Sequence, residues 1–95
     1  MSTISDGKGQ AATPVLEYPL DYVFKVMGYS AEDFPDHAER LVARAVGLEA
    51  RVVTVRSSSE RKYQSVTVSI RLASEDQRRA VYQALHDDDR VVYYL

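Results

Sequence analysis

From Tyr63 to Leu72 the chain reads Tyr-Gln-Ser-Val-Thr-Val-Ser-Ile-Arg-Leu, and Val66, Val68, Ile70 and Leu72 alternate without a break with Ser65, Thr67, Ser69 and Arg71. Side chains on a β-strand point alternately to opposite faces, so this run predicts a strand with one aliphatic face and one hydroxyl-rich face. The aliphatic face must be covered. The rest of the chain then has to supply neighbouring strands and the helices that cover them.

A first strand is expected from Pro19 to Gly28, with Leu20, Tyr22, Phe24 and Val26 in one row and Asp21, Val23, Lys25 and Met27 in the other. Pro19 can occupy its first position, and Gly28 is expected to end it in a turn. After Pro35, the spacing of Ala38, Leu41, Val42, Ala45 and Val46 makes one apolar helical stripe over Asp36 to Val46, with Gly47 placed to cap it. Asp36, Glu39, Arg40 and Arg44 fall on its solvated faces, and Asp36 and Arg40 are spaced to pair. Ala50 to Arg56 and Tyr63 to Leu72 flank the polar segment Ser57 to Lys62 as a β-hairpin, with Val53 and Val55 inward and Val52, Thr54 and Arg56 outward. Ser74 and Gln77 form a capping box ahead of a second helix. Its buried stripe is Val81, Ala84 and Leu85, Arg78 and Arg79 project outward, and it ends near His86. Asp87, Asp88 and Asp89 make a turn, and Arg90 to Leu95 a fourth strand.

The order strand, helix, strand, strand, helix, strand predicts an α+β, ferredoxin-like βαββαβ two-layer sandwich. Right-handed crossovers put both helices on one face of a four-stranded antiparallel sheet, with the first and third strands central and the other face open. The expected core is Tyr22, Phe24, Leu41, Val42, Val66, Val68, Ile70, Val81 and Leu85. Residues 1–14 are small and polar and are expected to be a disordered tail, leaving 15–95 as a single domain.

Several functions are disfavoured by what the chain lacks. With no cysteine there are no disulfides, thiolate nucleophiles or thiolate metal sites, and a reducing cytoplasm is the expected compartment. No window approaches the roughly 20 apolar residues of a membrane span. His37 and His86 lack ligand-spaced partners, and the run from His86 to Asp89 lacks the spaced oxygens and glycine of a calcium loop. Serines 57, 58, 59, 65 and 69 stand in no nucleophile elbow, and four glycines make no phosphate loop. The expectation is a protein that is not an enzyme and that carries neither metal nor cofactor. A formal charge of -2 gives no general attraction to nucleic acid. An RNA-recognition domain shares the topology but stacks bases on aromatic residues of its central strands. Here only Tyr63 and Tyr94 are expected outward, so RNA binding is the less favoured reading.

What remains is binding. The open sheet face is expected to gather Val23, Met27, Val52, Val92 and Tyr94 into an apolar strip bordered by Lys25, Arg56 and Arg71, with Arg61 and Lys62 in the hairpin loop beside it. Exposed contiguous apolar surface of this kind marks interaction sites, so a protein partner or a homo-oligomer is expected.

The segment Phe24-Lys25-Val26-Met27-Gly28 after Pro19, Ser57-Ser58 with Tyr63, Ser65 and Val66, and a last strand ending in Leu95 resemble the YbeD-like family of small bacterial proteins of unassigned function. The resemblance runs over roughly residues 17–95. It implies the fold of the ACT domains, which sense small ligands, and a possible connection with lipoate metabolism. It also implies an alternative role as a small-ligand sensor, with Gly28, Tyr29 and Ser30 as the ligand loop.

Overall fold

The computed structural model describes residues 16–58 and 60–95; the tail expected at 1–14 and Ser59 of the hairpin loop lie outside the described residues. The alternating segment of the third strand is β3 (Tyr63–Leu72), and it has a long partner on each side. The chain runs β1 (Leu20–Tyr29), α1 (Phe34–Val46), β2 (Ala50–Ser57), β3, α2 (Glu75–Asp87) and β4 (Val91–Tyr94). The sheet order is β2-β3-β1-β4, every pair antiparallel, so β1 and β3 are central as the topology requires.

Register assigns the two faces. β1 and β3 pair continuously from Leu20 opposite Leu72 to Tyr29 opposite Tyr63, and directly opposed residues share a face. Phe24, Val26, Val66, Val68, Ile70 and Leu72 turn to the helices and meet Phe34, Ala38 and Val42 of α1 and Val81 and Leu85 of α2, all buried. Each large aliphatic or aromatic side chain buried there contributes about 1.5 to 3 kcal/mol. Among the described residues no helix covers the opposite face, where Val23 and Lys25 of β1 are exposed.

The structure amends several expectations. Tyr22 and Leu41 border the core rather than fill it. The Tyr22 hydroxyl needs a polar partner and finds Tyr82 Oη at 3.0 Å, which holds the ring at the rim. Phe34 takes a central place because α1 begins before Pro35 and so carries Phe34 inward on its first turn. On β2 the register shifts between Val52 and Thr54, so Val53 is the extra residue of a β-bulge. Val52 therefore packs against the core, Val53 is 60% exposed, and Val55 opposite Val66 returns to the helix side. The edge N–H of Val52 donates to the Glu39 carboxylate at 3.1 Å, which makes Glu39 a bridge between α1 and β2 rather than a solvated residue.

Gly28 does not end the first strand. It is buried inside β1, where a Cβ would collide with the Arg90 carbonyl oxygen and the Phe34 ring. Gly47 does cap α1, in the left-handed region at φ 69°. Asp36 and Arg40 pair at 3.0 Å on the exposed face. Ser74 Oγ accepts from the Gln77 N–H at 3.2 Å, while the Gln77 side chain reaches one residue further back than a capping box requires, to the Ala73 N–H at 2.6 Å.

Candidate interaction surface

On the uncovered face the cross-strand pairs fall in rows. Asp21 stands beside Arg71, Val23 beside Ser69 and Arg51, Lys25 beside Thr67 and Thr54, Met27 beside Ser65 and Arg56, and Tyr29 beside Tyr63. On the other side of β1, Met27 pairs with Tyr93, and Lys25 exchanges two backbone hydrogen bonds with Leu95, at 3.0 and 2.9 Å. The two ends of this face differ. At one end Arg71 is taken up by Asp21 at 3.1 Å, and Arg51 lies near Glu49 and Asp21 around a shallow hollow. At the hairpin end Met27, Tyr29, Tyr63 and Tyr93 gather, and the cations around them have fewer counter-charges.

The hairpin end is built locally by its loop. Ser58 Oγ accepts from the N–H groups of Lys62 and Tyr63, both at 3.2 Å, and Arg61 adopts φ 59° to turn the chain. The Ser30 N–H donates to the Lys62 carbonyl at 2.9 Å, which ties the end of β1 to the loop. Tyr29 and Tyr63 then lie with ring centroids 5.5 Å apart, and Lys62 Nζ sits 5.5 Å over the Tyr63 ring. Between Met27, Tyr63 and Arg56 the surface dips into a mainly apolar depression of about 170 Å³.

Of the residues expected to form the surface, Lys25, Met27 and Arg56 come together at this end, with Arg61 and Lys62 in the adjoining loop. Val23 lies further along the same face, 48% exposed, and Arg71 is paired with Asp21 at the far end. Tyr94 is not on this face. It stands opposite the buried Val26 and packs on α2, 5.9 Å from the Tyr82 ring, with its hydroxyl 3.3 Å from His86 Nδ1. Val92 falls where the β1–β4 register shifts and is a half-exposed edge residue, and Val52 is a core neighbour. Tyr93 and Tyr29 were missed as outward aromatics. The five consecutive apolar residues from Val91 to Leu95 show no alternation, and Tyr29 was expected beyond a turn at Gly28 that does not exist.

The ligand loop expected at Gly28, Tyr29 and Ser30 lies at the end of β1 and just beyond it. The Phe34 ring fills the space beside Gly28, and Tyr29 and Ser30 are exposed.

Several charges on the helix side are internally paired. Arg78, expected to project outward, instead lies over the Tyr22 and Tyr82 rings at 5.9 and 5.5 Å and grips Glu75 with Nε at 3.0 Å and Nη2 at 2.6 Å. The Tyr18 hydroxyl donates to the same carboxylate at 2.6 Å. The Arg78 guanidinium and then the Tyr18 hydroxyl hold the Glu75 carboxyl at about 2. Burial, and then the Tyr22 hydroxyl, pushes Tyr82 up to about 12. Arg90 holds Asp33 through two hydrogen bonds at 3.2 and 2.8 Å and keeps its carboxyl below the usual range. His37, which has no ligand-spaced partner in sequence, pairs with Asp88 at 2.9 Å. Among the described residues no group of three or more His, Cys, Asp and Glu is arranged to hold a metal ion, and no helix is long and apolar enough to cross a membrane.

Residues 13–95 match a family model described as "Protein of unknown function (DUF493)". A UPF0250 protein of Nitrosomonas europaea is 35% identical over 82 residues, covering 85% of this chain and 94% of that protein. One from Idiomarina loihiensis is 32% identical, covering 85% and 91%. Among solved structures, that of protein HP0495 from Helicobacter pylori matches with a TM-score of 0.75 at 18% identity, covering 97% of this chain and 98% of that one. The ACT domain from the GTP pyrophosphokinase of Chlorobium tepidum matches with a TM-score of 0.54 at 9% identity, covering 80% and 97%. At those identities the structural likenesses establish the fold alone.

Proposed function

The chain belongs to the DUF493 family, whose UPF0250 relatives are bacterial proteins, and from that premise we propose that it is a non-catalytic interaction module whose open sheet face and hairpin loop receive a protein partner. The observation that carries this reading is the cluster of Met27, Tyr29, Tyr63 and Tyr93 across three strands on the face that, among the described residues, no helix covers. Tyr29 and Tyr93 are 54% and 56% exposed, and Leu95 continues the patch at 56%. A soluble domain leaves such surface uncovered mainly where something binds, and aromatic residues dominate binding energy at interfaces.

The reading is tested by substituting Met27 and Tyr93 together with Lys and comparing capture of partners from the native cell extract. The expected result is loss of capture with circular dichroism intact, while a control pair on the helix side, Arg40→Ala with Arg44→Ala, leaves capture unchanged. Undiminished capture by the sheet-face pair, with the fold preserved, overturns the reading. A small-ligand sensor at Gly28 to Ser30 is supported only by the likeness in fold to an ACT domain, while Phe34 fills the space such a ligand needs beside Gly28.

A further inference from the structure

The hairpin end of the open face combines an apolar floor with positive charge, and the combination selects among occupants. Lys25, Arg56, Arg61 and Lys62 are all exposed there, and Glu60 is the one acidic side chain among the described residues of that loop and face end. Most of the chain's carboxylates lie in or next to the helices on the other side, which leaves the molecule two-sided despite a net charge of only -2. We propose that the depression between Met27, Tyr63 and Arg56 docks an acidic segment of another protein, with a bulky apolar side chain in the depression and flanking carboxylates against Arg56, Lys62 and Lys25. This rests on the reading of the open face as an interaction surface and adds the chemistry of what binds.

Three other occupants fit less well. A second copy packed face to face would set this patch against itself, bringing like charges together, because a two-fold interface is self-complementary. The chain's own first fifteen residues carry Asp6 and Lys8, whose charges cancel, so they offer no net acidity. Single-stranded nucleic acid would stack bases on free aromatic faces, but the Tyr63 ring has Tyr29 on one side and Lys62 over it. An apolar anchor flanked by carboxylates uses both halves of the site: burial in the depression gives affinity, and the rim cations set orientation and partner choice.

The test uses the full chain and three defined probes, namely a glutamate-rich copolymer of glutamate and tyrosine, polyglutamate, and polyuridylate, followed by amide NMR shifts and titration. The glutamate–tyrosine copolymer should bind with shifts confined, among the described residues, to 25–29, 56–58, 60–65 and 93. Polyglutamate should bind roughly tenfold more weakly or worse, since it lacks the anchor. The double variant Arg56→Glu with Lys62→Glu should lose roughly tenfold or more in copolymer affinity while its circular dichroism is unchanged. Equal binding of the two acidic polymers, tighter binding of polyuridylate, no binding at all, or dimerisation through the same residues each overturns the proposal. If the copolymer fails while the Met27 and Tyr93 double substitution still abolishes capture of a natural partner, the interaction face stands and only its acidic specificity falls.

Discussion

At Gly28 a side chain has no room, because the Arg90 carbonyl and the Phe34 ring occupy the place of a Cβ. Overpacking of a filled site costs about 1 to 3 kcal/mol, so Gly28→Ala should lower stability in urea by about 2 kcal/mol, and a loss below about 0.5 kcal/mol would mean the site has slack. Glu75 is held down by a different physics. Its carboxyl titrates at about 2 in the fold against 4.5 in its absence, so its contribution is complete above about 4.5 and is lost as pH falls from there towards about 2. Tyr82 has the opposite sign: its pKa is raised from 10.0 to about 12, so its contribution is present below 10 and fades as pH rises through that interval. In a pH series of thermal melts, Glu75→Gln should flatten the acid limb between about 4.5 and 2 relative to the unsubstituted protein. An unchanged acid limb would show that the grip of Arg78 on Glu75 is not maintained in solution.

Among elements, β3 carries the sharpest division between faces. Val68 is fully buried in the core on the helix side, while Thr67 stands on the uncovered face between Lys25 and Thr54. Removing two methyls from the core at Val68 forfeits transfer energy and leaves a cavity, about 2 kcal/mol together, whereas Thr67→Ala should cost well under half as much. Equal losses in parallel urea titrations would refute the face assignment. β2 and β4 were harder to read because each breaks its own alternation. The bulge at Val53 and the shift opposite Gly28 change the phase partway along a strand, so a period-two count made from one end points the residues beyond it the wrong way. That is why Val52 and Tyr94 were expected on the open face and are found on the helix side.

For the whole molecule, a single buried cluster joins both helices to β1 and β3, with Ala50 and Val52 attaching β2 and Tyr94 and Val91 attaching β4. A domain with one core unfolds as a unit, so urea transitions followed by tyrosine fluorescence and by far-ultraviolet circular dichroism should coincide. Separated midpoints would mean that the β4 edge or the hairpin opens independently. The same architecture divides the sheet: the helix layer and the inner sheet face hold the fold, and the outer face is the one proposed to meet a partner.

The alternation from Tyr63 to Leu72, the helical stripe from Ala38 to Val46 and the caps at Gly47 and Ser74 were enough to determine the βαββαβ order, the central strands and most of the core, because periodicity and capping are local properties. Local sequence could not place Tyr29 against Tyr63, Tyr93 beside Met27 or Arg78 between two tyrosines, since each depends on register between segments distant along the chain. Only the packed structure decided that Gly28 stays in its strand under Phe34, and that Arg56 lines an apolar depression at one end of the sheet with Lys62 over the neighbouring Tyr63 ring. A residue's neighbours across a sheet are fixed by strand pairing and bulges, and those are settled by the core that all the strands share.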